Sequence, residues 1–435
     1  MSVTVPSDQP LVPVITGGDL GAYSLAREFH EQAGLISAVV PTSVNRNFTG
    51  TRIAQLFPVG PMLEPKKVLA DLSRVADVLE GHRRPLLLMP GYDHLVRIVL
   101  DHREELTELG YRIPELTVDQ LDRGALKDRF YALCEQLGVR YPRTTTVDCG
   151  PELADSNDAD ARSAIAAQID TAGLSWPVVV KADDGGAWAD VRFEGRRKVH
   201  LAHSHDDVAR LARRASGAGY RAGLIVQDYV AGADSQLRIL HLFRSRTGGI
   251  RSAGLGEVII EDHAPGLEGN ARAIVVPAEV TEQERQITSQ GTALLEALDW
   301  HGFAMFDLKV DADTGEPVFL EMNPRLGRHH FYLTASGINP VVDLLAEFGG
   351  DDTAAPSQSP SAPRQPHQRP AASLTIPQAL AHRYANESQR RTLTEAKRLG
   401  TVQDPWDYPA DRHWQRRLYH WVQRRRSAAD LEASR

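Results

Sequence analysis

Four side chains close together in the chain could do chemistry jointly: Asp307, Glu321, Asn323 and Arg325, within the run FAMFDLKVDADTGEPVFLEMNPRLGRHH at 303–330. The first three offer oxygen. A hard divalent cation such as Mg²⁺ takes carboxylate and amide oxygens and completes its shell with water and nucleotide phosphates. Arg325 adds a fixed positive charge able to stabilise a phosphoryl group in transfer. Two acids on a hairpin are also what an ordinary solvent-facing strand edge carries. Here, however, Glu321, Asn323 and Arg325 alternate with Met322 and Pro324, which gives them one face. The elements that must position them are a strand over Phe303 to Val310, a turn over Asp311 to Glu316 and a returning strand over Val318 to Met322. Folded in this way, the hairpin sets Asp307 close to opposite Glu321.

Other residues could bind anions. WPVVVK at 176–181 predicts a strand that ends on Lys181, followed by Asp183, Asp184, Gly185 and Gly186. A lysine at a strand end beside a flexible glycine pair puts an ammonium and backbone N–H groups on one phosphate. No G-x-x-x-x-G-K-[ST] occurs in the chain, so this is not a P-loop. Arg328 could grip a carboxylate as a two-pronged donor. The neighbouring His329 and His330 lack zinc-ligand spacing and are assigned with it to substrate. Asp93 follows the predicted strand Pro85 to Met89, and the carboxyl edge of a parallel sheet is where ligands meet such a domain, so it is a substrate contact. Arg238, in SQLRIL, is either solvated or reaches phosphate or substrate.

The rest of the chain supplies the scaffold. Short apolar strands at Leu11 to Ile15, Ile36 to Val40 and Pro85 to Met89, with helical patterns at 65–80 and 93–109, predict a doubly wound α/β domain over 1–118. Leu126, Phe130, Leu133 and Leu137 form a helical stripe that leaves Lys127 off the line of burial. Residues 351–371, rich in Pro, Ser and Gln, read as a disordered linker before a helical extension at 372–435. In that extension Trp414, Leu418, Trp421 and Val422 make a stripe among arginines, which either docks on the body or lies on an anionic membrane as a peripheral contact. Docking is the favoured reading. A formal charge of −8 argues against nucleic-acid binding, and two cysteines in 435 residues fit a reducing, cytoplasmic compartment.

EMNPR at 321–325, preceded by Asp307, resembles the metal-binding signature of the ATP-grasp superfamily. The resemblance covers roughly 11–347 and implies ATP as cofactor with two Mg²⁺ ions, Mn²⁺ being able to substitute, held by Asp307, Glu321 and Asn323. It implies that Arg325 contacts the transferred phosphate, that Lys127 and Lys181 hold phosphates, and that Gly185 and Gly186 belong to a mobile flap. Gln227, Asp228 and Val230 would form the adenine hinge and Asp234 would hold the ribose. The fold implied is α/β (α+β ATP-grasp): the N-terminal domain, then an ATP-grasp domain at 119–350 with a small α+β lid at about 142–230 and a C-terminal antiparallel-sheet α+β part. The activity implied joins a small-molecule carboxylate to an amine through an acyl phosphate, closest to the ligases that attach an amino acid such as D-aspartate to the peptide of a cell-wall precursor. A homodimer is compatible with this reading. Two readings stay open beside it, a carboxylase using bicarbonate and an ATP sensor on the same fold.

Overall fold

The computed structural model describes residues 3–43, 46–57, 60, 62, 64–183, 185–264, 267–349 and 369–433. The first sheet joins β1 (Val12–Thr16), β2 (Ser37–Val40), β3 (Ala54–Leu56), β4 (Leu86–Met89) and β5 (Tyr111–Arg112) in the order β3-β2-β1-β4-β5, every pair parallel. β1 and β2 are buried throughout, which is why they read as unbroken apolar runs rather than alternating ones. Asp19 caps helix Leu20–Ala33 by accepting from the Ala22 amide at 3.1 Å, and Gly34 ends it with φ 67°. This is the expected doubly wound N-terminal domain. β3 and β5 went unread because so few residues carry no period. The helix expected over 93–109 is two, Asp93–Asp101 and Arg103–Glu108. A Cβ at Gly91 would lie 2.2 Å from the Thr16 carbonyl oxygen, so glycine is what lets the ends of β1 and β4 meet just before Asp93.

A smaller antiparallel sheet follows, built from β6 (Thr144–Val147), β7 (Val178–Ala182), β8 (Val199–Ala202) and β9 (Leu224–Asp228) in the order β6-β9-β7-β8. Helices Asp158–Thr171 and His205–Gly217 pack against it and close a separate core that includes Ile165, Val178, Val180, Ala212 and Val226. Gly185 and Gly186, expected in a flap, open the short helix Gly185–Asp190. In that helix Trp188 is buried edge-on against Phe193 and Tyr220 and joins the core of the smaller sheet. Asp184 lies outside the described residues.

The largest sheet has seven strands: β10 (Leu237–Arg244), β11 (Ile250–Glu261), β12 (Ala271–Val276), β13 (Gly302–Val310), β14 (Pro317–Asn323), β15 (Ala371–Leu374) and β16 (Val402–Gln403). Their order is β14-β13-β10-β11-β12-β15-β16, antiparallel except for the parallel pair β15 and β16. Helix Glu282–Ala297 buries Ile287, Leu294 and Leu295 in the main core beside Leu240, Leu242 and Phe306.

The segment read as a helical extension thus begins with a strand that completes this sheet, and Ala371, read as linker, already pairs with Val276. Residues 351–368 of the linker lie outside the described residues. Helix Trp414–Ala433 does dock, but not by its Trp stripe. Trp414, Leu418 and Trp421 are 68%, 53% and 51% exposed, whereas Arg416 and His420 face inward. Asp411 decides this, since its carboxylate binds Arg416 Nη2 at 2.7 Å, the Tyr23 hydroxyl at 2.9 Å and the Arg52 amide at 2.6 Å. His420 stacks on Trp406 at 4.0 Å. A buried, multiply bonded ion pair outweighed the apolar period that favoured the other face.

Candidate functional site

β13 and β14 form the hairpin, with Asp307 directly opposite Glu321 and a bulge between Asp307 and Leu308. Asn323 donates from Nδ2 to Asp307 Oδ2 at 3.2 Å, which gathers the three oxygen-bearing side chains at one sheet edge. Burial, and then the charge of Glu321, raise the Asp307 pKa above the usual carboxylate range. For Glu321 burial pushes upward too, but Lys127, Lys181 and Lys198 outweigh it and hold the group below its ordinary value.

The acids open onto a cavity of about 630 Å³ between the lid and the large sheet. Its lining includes six basic side chains, Lys127, Lys181, Arg196, Arg197, Lys198 and Arg238, against three acids, Glu261, Asp307 and Glu321. Lys127 starts helix Lys127–Gln136 and brings Nζ to 3.5 Å from Glu321. The helix is held there by the Tyr131 hydroxyl, which donates to the Leu320 carbonyl at 2.8 Å. Lys181 reaches the same space from β7, and burial together with the nearby Lys127 charge lowers its pKa. Two ammonium groups held against each other beside two carboxylates suit a polyanion accompanied by a divalent cation.

The other expected residues are distributed around this centre. Arg238 pairs with Glu257 at 3.1 Å on the next strand and lines the cavity. Gln227 is buried on β9 and Val230 is buried just after it, while Asp228 takes Arg143 Nε at 2.7 Å and the Ser175 amide at 3.0 Å, ties within the lid. Asp234 faces the His263 ring at 2.8 Å and the Glu261 amide at 3.2 Å. Arg325 turns away from the cavity toward Asp93, with Nε 2.7 Å from Oδ1 and Nη2 3.3 Å from Oδ2. Arg328 lies 3.8 Å from Asp19. Arg325, Arg328 and His330 line a second, smaller cavity of about 70 Å³ against the N-terminal sheet. His330 spends both ring nitrogens internally, on Glu28 Oε2 at 2.8 Å and the Gly327 carbonyl at 2.7 Å, so substrate contact does not suit it. His329 is partly buried, and burial together with Arg328 holds its pKa well below the ordinary value.

Sequence reasoning missed Arg196, Arg197 and Lys198, although the basic run EGRRKVH at 194–200 was a visible signal. It also missed Glu261 and His263, which carry no spacing a sequence could expose.

No protein-family model matches the sequence. The chain is 26% identical to D-aspartate ligase of Enterococcus faecium (strain Aus0004) over 394 residues, 89% of this chain and 88% of that one. Among solved structures it resembles N5-carboxyaminoimidazole synthetase from Staphylococcus aureus complexed with ADP, with TM-score 0.54, 15% identity and coverage of 81% and 79% of the two chains. It also resembles the biotin carboxylase domain dimer of Hydrogenobacter thermophilus 2-oxoglutarate carboxylase with MgADP, ADP and bicarbonate, with TM-score 0.54, 16% identity and coverage of 78% and 70%.

Proposed function

We propose that this chain is an ATP-grasp ligase that activates a carboxylate with ATP and passes the acyl group to an amine. The observation that carries this is one cavity in which Lys127 and Lys181 confront the facing acids Asp307 and Glu321. The donor set fits magnesium, because two facing carboxylates and a neighbouring amide are the hard oxygen ligands it takes, and Asp307, Glu321 and Asn323 would hold it. Magnesium would supply counter-charge for the phosphates.

Lys127 and Lys181 neutralise the phosphate oxygens, and the lid above them excludes water. In the first step a carboxylate oxygen of the substrate attacks the γ-phosphorus. The new O–P bond forms as the bond to the bridging oxygen of ADP breaks. In the second step the neutral amine attacks the acyl carbon, phosphate leaves with the C–O electron pair, and the amine proton passes to solvent. Both steps are matters of positioning and charge, so no nucleophilic side chain is required. The E. faecium relative, a D-aspartate ligase, supports D-aspartate as the acid, and a peptide or cell-wall precursor is the amine carrier on this reading.

The test is phosphate release with ATP, Mg²⁺ and both enantiomers of each acidic amino acid, with and without peptide or nucleotide-peptide acceptors. Release that depends on both acid and amine supports the ligase; release driven by bicarbonate without amine replaces it with a carboxylase. Glu321→Ala is expected to abolish ADP formation with the circular dichroism spectrum unchanged, and full turnover in that variant would remove the assignment of the metal site.

A further inference from the structure

Asp234, Glu261 and His263 are not part of the β13 and β14 hairpin, and one ligand atom from each falls within 4.8 Å of the others. They come from three places: the turn after β9, the last residue of β11 and the loop that leaves it. His263 Nε2 is 2.8 Å from Asp234 Oδ2, and the Glu261 amide donates to that same oxygen. The Glu261 carboxylate accepts no hydrogen bond among the described residues and lines the large cavity. Lys309 and Lys198 are the nearby cations, and Lys309 Nζ sits 5.1 Å over the Tyr229 ring.

We infer that Asp234, Glu261 and His263 form a second divalent-cation site on the cavity rim, chemically distinct from the all-oxygen set at Asp307, Glu321 and Asn323. One imidazole with two carboxylates is the donor set of Mn²⁺ or Zn²⁺ rather than of Mg²⁺, which prefers oxygen and keeps its waters. The bulged end of β11 carries Glu261 back over Asp234, which opens the single 3₁₀ turn Asp234–Gln236. The site does not require the ligase reading, and its loading is measured without turnover.

The full-length protein, free of nucleotide, is loaded with Mn²⁺ and examined by electron spin-echo envelope modulation. Coordinated imidazole nitrogen is expected in the wild type, retained in Glu321→Ala and lost in His263→Ala. His263→Gln, which keeps the volume, is expected to lose the nitrogen signal as well, with the thermal melt unchanged. Mn²⁺ bound without nitrogen coupling in the wild type, a nitrogen signal that survives both His263 variants, or no Mn²⁺ or Zn²⁺ binding beyond the hairpin site overturns the proposal. Loss of activity in Glu321→Ala with the nitrogen signal intact would concern the hairpin alone.

Discussion

His330 and Glu28 are almost fully enclosed, with side chains 2% and 0% exposed, and Thr334 Oγ1 donates to the second Glu28 oxygen at 2.6 Å. Burial works against charge on the imidazole, but Glu28 outweighs it and raises the His330 pKa above its ordinary value. A histidine raised in this way contributes stability that is complete below about pH 6.5 and is lost as pH rises through its folded-state value. Denaturant midpoints are therefore expected to fall between pH 6 and pH 8.5. In Glu28→Gln that part of the pH dependence should vanish, and the variant should be less stable at pH 6 by about 3–5 kcal/mol. An unchanged slope would show that the pair is not charged. From sequence, His330 read as a substrate contact, because a histidine beside two arginines looks functional until the buried acid 302 positions away in the chain is seen. Asp307 and Glu321 were legible by contrast, since both sit on one local hairpin whose register the turn dictates.

At the scale of elements, Asp93 begins its helix at the edge of the parallel sheet, and Arg325 follows the end of β14. Their two-pronged pairing is how the N-terminal domain fixes the strand that carries Glu321 and Asn323. Asp93→Asn is expected to loosen Arg325 and lower kcat/KM by roughly tenfold to a hundredfold with little change in melting temperature. If KM for ATP alone rises while kcat holds, Asp93 acts in nucleotide binding instead. Long elements with clear patterns, such as β13 and β14, were readable from sequence. β3, β5 and β15 were not, because two to four residues exist as strands only through their neighbours. The helix at Trp414–Ala433 was readable as a helix, but its inward face was not, because Arg416 is buried by a partner that the helical period does not encode.

Across the whole molecule, Asp411 gathers Tyr23, Thr51, Arg52 and Arg416 from the N-terminal domain and the C-terminal segment. Asp411→Ala leaves Arg416 buried without its acid and is expected to cost about 3–5 kcal/mol, read as a lowered denaturant midpoint. A shift below about 0.5 kcal/mol would mean the pair is replaceable by water. The same segment is bound at its other end, where β15 adds to β12. It therefore works as a tie-rod, bolting the N-terminal sheet to the seven-stranded bed, whereas the lid keeps a core of its own. Under the proposed ligase reading, opening and shutting over a nucleotide is expected of the lid, and the pace of product escape should follow changes in the lid's roots rather than in the frame.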